Sequence, residues 1–307
     1  MSSLRVSPRA YRRITGFALA TQVFIIVTGG AVRLTGSGLG CSDWPTCEEN
    51  RLVAPLEYHA LIEFTNRTIT GLVAIAVVAA VLGSLVRTPR RADLTWWSLG
   101  LVAGVIAQIV LGGLTVLFHL APPLVMAHFL VSALLVWNAV VLHHKAGEHR
   151  LDPDVAARRA SPEVRMMGVL LVAGAAVVLF TGTVVTGSGP HGGDESVERL
   201  PFFVPEVTRI HAIAVILFTA MVLATWWMLR VTDGPRRARQ GVAALVVALV
   251  VQATIGYVQY FNGVPALLVG LHLFGATVVW GLTVRLPLVF GPVRSGVETP
   301  EPELVAP

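Results

Sequence analysis

Apolar residues along the chain gather into eight long runs, at about 14–35, 58–86, 95–117, 124–142, 166–186, 207–230, 241–260 and 266–290, each bounded by charge, Pro or Gly. A helix rises about 1.5 Å per residue and needs about 20 residues to cross a hydrocarbon layer, so every run is long enough to span. The pattern predicts an all-α integral membrane protein with eight transmembrane helices. The first run continues to about Thr35 without a small-residue cleavage site and reads as a retained span, not a cleaved signal. The stretch 291–307 is rich in Pro and Glu, has no periodicity and reads as a disordered tail.

Of the 307 residues 54% are hydrophobic and 13% charged, against about 25% charged in soluble domains, which leaves no room for a long soluble domain. The net charge of +5 does not point to nucleic acid, because the basic residues form short clusters between apolar runs and no basic face. With a cytoplasmic N-terminus, the inner segments hold Arg5, Arg9, Arg12 and Arg13; Arg87, Arg90 and Arg91; Lys145, Arg150, Arg158, Arg159 and Arg165; Arg230, Arg236, Arg237 and Arg239; and Arg285 and Arg294. Of the 23 Lys and Arg, only Arg33, Arg51, Arg199 and Arg209 fall on or near the outer side, with Arg67 inside the second run. The positive-inside rule then orients a multi-pass cell-membrane protein with both termini cytoplasmic. Two cysteines exclude a disulfide framework and an iron-sulfur ligand set.

The chain repeats itself. Thr28-Gly29 and Thr35-Gly36-Ser37-Gly38 at the end of the first run return as Thr181-Gly182 and Thr186-Gly187-Ser188-Gly189 at the end of the fifth. Gln108, Gly112 and His128 return as Gln252, Gly256 and His272 at a constant offset of 144, and an offset of 145 sets Asn66 opposite His211. The expectation is two four-helix bundles, 1–145 and 146–290, followed by the tail 291–307. An even number of spans per unit makes the repeats parallel, related by an axis along the membrane normal.

Ionisable residues inside spans are costly and usually mark a site. His211 and His272 fall at similar depth in the outer third of the bilayer, and are expected to come from antiparallel neighbours. A bare divalent cation would want further Cys, Asp, Glu or His at that level, and the second half offers none. Two imidazoles suffice for a heme in a greasy helical slot; the alternative is two separate hydrogen-bonded core histidines. In the first half His128 is in place, but Asn66 stands where His211 predicts a histidine. His59, Glu63 and Asn66 share one helical face, expected to point inward, with Arg67 one turn below Glu63. A carboxylate there can exchange protons with a bound ligand, or form a structural ion pair with Arg67.

Cys41 and Cys47 lie in an outer loop, where disulfides persist. The pair either staples that loop or is a labile redox partner. The second half has Gly192-Gly193-Asp194 there instead, so its two His ligands suit a resident cofactor while the first half suits a reaction centre. His119, opposite Gly263, reads as a rim residue. His143, His144, His149 and His191 read as solvated loop residues without chemistry. The pairs Trp96-Trp97 and Trp226-Trp227 read as an interface belt at the cytoplasmic ends.

Over nearly all of residues 12–290 the chain resembles the heme A synthase family. The resemblance rests on the V-R-L-T-G-S-G-L-G-C-S-D-W-P-x-C segment from Val32 to Cys47, on an E-x-x-N-R version of the E-x-x-H-R motif from Glu63 to Arg67, and on His128, His211 and His272. It implies oxidation of the C8 methyl of heme O to the formyl of heme A, by successive hydroxylations with water-derived oxygen, for cytochrome oxidase. It further implies heme B as cofactor, its iron held by His211 and His272. Substrate heme would face His128 on the iron, with Asn66, Arg67 and His59 around it, and Glu63 would be the catalytic carboxylate. The departure is Asn66, which leaves the second axial ligand of the substrate open between none and His59. Implied partners are heme O handed over by heme O synthase, the lipid bilayer and an electron acceptor that the sequence does not name; a homo-oligomer is allowed. The rival readings are a b-type membrane cytochrome that only passes electrons and a parallel-repeat transporter with the T-G-S-G breaks at its substrate site.

Overall fold

The structure, a computed structural model, describes residues 5–48, 53–147, 162–232 and 234–290. The tail 291–307, Arg51, His149, Arg150, Arg158, Arg159 and Arg294 lie outside the described residues. Eight helices follow in order: α1 Pro8–Leu34, α2 Tyr58–Val86, α3 Ala92–Leu117, α4 Pro122–Ala146, α5 Pro162–Ser188, α6 Val204–Val231, α7 Arg236–Phe261 and α8 Ala266–Phe290. All eight are long and apolar enough to cross a membrane, and the protein is an eight-span integral membrane protein. Among the described residues there is no strand; Val6 and Arg87 form an isolated bridge.

Most helices run a few residues past their apolar windows, because an intrahelical ladder continues wherever its polar ends meet water or a cap. At α1 the Ser7 hydroxyl accepts from the Ala10 N–H at 3.2 Å with Pro8 next to the cap, which carries Arg9, Arg12 and Arg13 into the helix. The two T-G-S-G segments differ. α1 stops at Leu34 and turns through Gly36 at φ +67°, a left-handed position that favours glycine, whereas α5 continues as helix to Ser188.

Helices α1 to α4 form a ring in which each packs on the next and α4 closes on α1; α5 to α8 repeat the ring. The diagonal pairs, α2 with α4 and α6 with α8, make no backbone contact among the described residues. This corrects the expectation for His211 and His272. Consecutive antiparallel hairpins make α6 and α8 run in the same direction, and they face each other across the bundle and not side by side. The hairpin turns keep the repeat in their backbone: His119 and Leu120 have φ of 49° and 57°, and Gly263 and Val264 have φ of 75° and 59°. The halves meet along a seam in which α4 packs on α8, α1 on α8 and α4 on α5. There the Trp280 indole donates to the Ala133 carbonyl at 2.7 Å, fully buried.

Candidate functional site

In the second half, His211 on α6 lies against Gly182 of α5, where an added Cβ would stand 3.1 Å from its Cε1. Its Nδ1 is 3.0 Å from the Thr181 hydroxyl, which also lies 3.0 Å from the Val177 and Val178 carbonyls. A hydroxyl has one proton; given to a carbonyl, it leaves the oxygen to accept from Nδ1–H. That tautomer leaves the Nε2 lone pair bare, the state an iron ligand requires. Opposite, His272 on α8 lies against Gly256 of α7 with the same 3.1 Å approach. Its Nδ1 is sealed without a partner, so Nε2 is the open nitrogen there too. The Gln252 amide donates to the His272 carbonyl at 2.8 Å and crowds Gly275, fixing this turn of α8. The donor set fits bis-imidazole heme: two half-buried rings, on diagonal helices without backbone contact, each backed by a glycine that a larger residue would push against. Among the described residues no three His, Cys, Asp or Glu converge as a bare cation would need.

The first half reproduces this frame with one exchange. His128 on α4 lies against Gly112 of α3, at 3.5 Å from an added Cβ to Cε1, with Nδ1 again sealed and unpartnered. Gln108 on α3 donates to the His128 carbonyl at 3.1 Å, as Gln252 does to that of His272, and also to the Ser132 hydroxyl. Across the ring the Thr28 hydroxyl donates to Asn66 Oδ1 at 2.8 Å, in the place of the Thr181–His211 pair. The amide is shorter than an imidazole, and nothing stands within 4 Å of a Cβ added at Gly29, the counterpart of Gly182.

The cysteine loop covers this half. Cys41 and Cys47 are joined as a disulfide and are buried with Ala54 and Ala60 in a small core of their own. Glu63, 5% exposed, holds the loop down: one carboxylate oxygen accepts from the Cys41 N–H at 2.8 Å, the other from Arg67 at 2.6 and 3.2 Å. Arg67 completes its fork on loop carbonyls, at 3.1 Å to Asp43 and 2.8 Å to Thr46. Trp44 packs against Gly113 of α3, 2.8 Å from an added Cβ and one residue beyond the glycine that backs His128. The loop is thus a lid whose latch is the Glu63–Arg67 pair. His59 is exposed, and its Nδ1 bonds to the Ser37 hydroxyl at 2.9 Å, which ties it to the turn after α1 and not to His128.

Three histidines expected to be solvated loop residues are half-buried, and His144 lies within α4 beside His143. His143 lies within α4, with Nδ1 3.2 Å from the Thr15 hydroxyl and Gly16 beneath its ring. His191, half-buried, bonds through Nε2 to the Val264 carbonyl at 2.8 Å. Their neighbours are distant in sequence, which is why a local reading leaves them in water. His119 is exposed, as a rim position requires. Sequence reasoning missed Thr28 and Thr181 as partners of residues 66 and 211, although both belong to the repeat that aligned the halves.

The fold and these residues define a class: a multi-pass membrane protein of two four-helix rings, with two glycine-backed imidazoles in one and one glycine-backed imidazole beside a disulfide loop in the other. The family model described as cytochrome oxidase assembly protein, COX15-CtaA, matches residues 12–60 and 53–190, and the chain belongs to this family. A heme A synthase of Symbiobacterium thermophilum is 28% identical over 305 residues, 93% of this chain and 97% of that protein. Another, of an Exiguobacterium species, is 21% identical over 276 residues, 87% of this chain and 89% of that protein. A protein of Thermus thermophilus named protoheme IX farnesyltransferase is 30% identical over 314 residues, covering 90% of this chain and 48% of that protein.

Proposed function

We propose that the chain is a heme A synthase that oxidises the C8 methyl of heme O to a formyl group with oxygen from water, for use in cytochrome oxidase. The observation that carries the proposal is the asymmetry within one repeated frame. Thr181, Gly182 and His211 hold a bare imidazole nitrogen where Thr28, Gly29 and Asn66 hold an amide, and among the described residues only the amide half has a carboxylate beneath a lid. The second half, 146–290, would keep a resident heme B between His211 and His272, and the first, 1–145, would take the substrate. When bound, heme B supplies reversible iron redox chemistry.

In the first half His128 presents the one imidazole to substrate iron, and Asn66, held by Thr28, leaves the opposite side without a strong ligand. Each hydroxylation with water releases two electrons, which leave to an external electron acceptor, and two protons, so a group near the reacting carbon must take a proton. Glu63 is the carboxylate of this half that faces the loop, and the lid over it excludes bulk water. Arg67 positions that carboxylate. The basic clusters orient the chain with both termini cytoplasmic and the lid on the extracytoplasmic side of the cell membrane. The relative named for transfer of a farnesyl group to protoheme IX supports heme O, supplied by a heme O synthase, as the incoming substrate.

The test is chromatography of hemes extracted from the purified protein after co-expression with a source of heme O, beside its optical spectrum. Heme B together with heme A or hydroxylated heme O is expected; His128 and Glu63 variants should keep heme B and lose product, and His211 variants should lose heme B. Heme B alone would favour a b-type cytochrome that only passes electrons. Absence of any heme would favour a transporter, a reading that the unbroken helix through Thr186-Gly187-Ser188 leaves with less support.

A further inference from the structure

At the lid end of the seam, between the two halves, a small cleft with room for about one water-sized group is lined by Arg33, Leu120, Val125, Met126, Gly192 and Arg199, among others. Two of the few basic residues at this end of the molecule therefore converge from different halves. Arg33 donates through Nε to the His191 carbonyl at 2.5 Å and through Nη2 to the Thr186 carbonyl at 2.7 Å. Arg199 donates through Nε to Gly189 at 2.8 Å and through Nη2 to the same Thr186 carbonyl at 2.6 Å. Each guanidinium is oriented by neutral acceptors alone and keeps Nη1 uncommitted. Among the described residues no carboxylate pairs with either: the nearby Asp194 carboxylate accepts instead from the Ser196 N–H and hydroxyl, at 2.9 and 2.6 Å.

Two half-buried cations that share one carbonyl repel each other, and neutral carbonyls compensate only part of their desolvation. Burial makes the charge on Arg199 less favourable than in water. An anion between them would remove both costs, and a fork of uncommitted N–H groups suits carboxylate or phosphate oxygens. The cleft admits the anionic atoms of a ligand and little more, so any apolar part of that ligand lies outside it.

We propose that Arg33 and Arg199 form an anion clamp on the seam, taking the carboxylate or phosphate group of a membrane amphiphile. Two sources carry this chemistry, the carboxylates of a heme and the headgroup of an anionic phospholipid. The heme source rests on the function proposed above; the lipid source does not.

The experiment uses the full chain in nanodiscs and has two arms. One compares thermal stability in pure phosphatidylcholine with that in phosphatidylcholine containing phosphatidylglycerol. The other compares the affinity of protoheme with that of its dimethyl ester, which lacks the charges. Wild-type protein is expected to prefer the anion by about tenfold in at least one arm, as one charge-assisted contact would give, and R33Q/R199Q is expected to abolish the preference. Because both arginines also tie loop carbonyls, G192A is tested in parallel: it keeps both charges but places a Cβ 2.8 Å from Arg199 Nη1. A preference in the lipid arm alone assigns a phosphate, and one in the heme arm alone assigns a heme carboxylate. No preference by wild type in either arm, or one that survives in both variants, overturns the clamp. The optical spectrum of heme retained at His211 and His272 in the same samples reports separately on the heme reading.

Discussion

Removing the Glu63 carboxylate should open the lid. In Glu63→Ala, Arg67 loses its counter-ion at 2.6 Å and the Cys41 N–H loses its acceptor at 2.8 Å. Breaking a fully buried pair from one side costs about 3–5 kcal/mol, and an orphaned buried donor adds about 1–3 kcal/mol. The Arg67 side chain is 21% exposed and keeps its bonds to the Asp43 and Thr46 carbonyls, so water recovers part of this. A net cost of about 3 kcal/mol remains, which at about 1.4 kcal/mol per tenfold raises the open population about 100-fold. The assay is the rate at which a membrane-impermeant thiol reductant opens the Cys41–Cys47 disulfide, followed by alkylation and gel shift. When closing is fast, that rate follows the open population. Glu63→Gln keeps an acceptor for the Cys41 N–H and should accelerate reduction only about tenfold, while the double change Glu63→Ala with Arg67→Met should recover part of the loss by removing the stranded charge. A Glu63→Ala rate within about twofold of wild type would refute the latch.

Three further outcomes follow from the frame around the imidazoles. Gly182→Ala and Gly256→Ala each put a Cβ 3.1 Å from a ring carbon, so the ring must give way by a few tenths of an ångström; heme content per protein should fall, whereas Gly29→Ala, with open space, should leave it unchanged. Asn66→His should seat its ring beside Thr28 and Gly29 as His211 sits beside Thr181 and Gly182, and a second low-spin heme signal in the optical or paramagnetic spectrum would register it. Arg67→Lys exchanges a fork on three acceptors for a single ammonium, and should speed disulfide reduction by about tenfold with heme at His211 and His272 unaffected.

The eight spans were legible because a bilayer imposes a length on apolar runs, and the last one agrees to the residue with Ala266–Phe290. The ends were less so: the start of α1 is set by the Ser7 cap and not by hydropathy. The repeat put residues 66 and 211 at equivalent positions, and the structure gives both a threonine partner. Spacing alone did not say that α6 and α8 are diagonal; that follows from how four antiparallel helices close a ring. Nor did it show the lid folded down onto Glu63, because Trp44 against Gly113 and Arg67 against the Asp43 and Thr46 carbonyls are contacts between remote segments. His143 and His191 were misread for the same reason.

The seam has the form of an isologous dimer interface: α4 against α8 lies on the axis, and α1 on α8 mirrors α4 on α5. Two identical four-helix subunits joined this way would be bound to carry the same residue at the positions now numbered 66 and 211, since one gene would encode both. Fusion into one chain lifts that constraint. Asn66 can diverge while His211 stays, a lid can grow over one half alone, and the halves can specialise without losing the contact that holds them at a fixed distance.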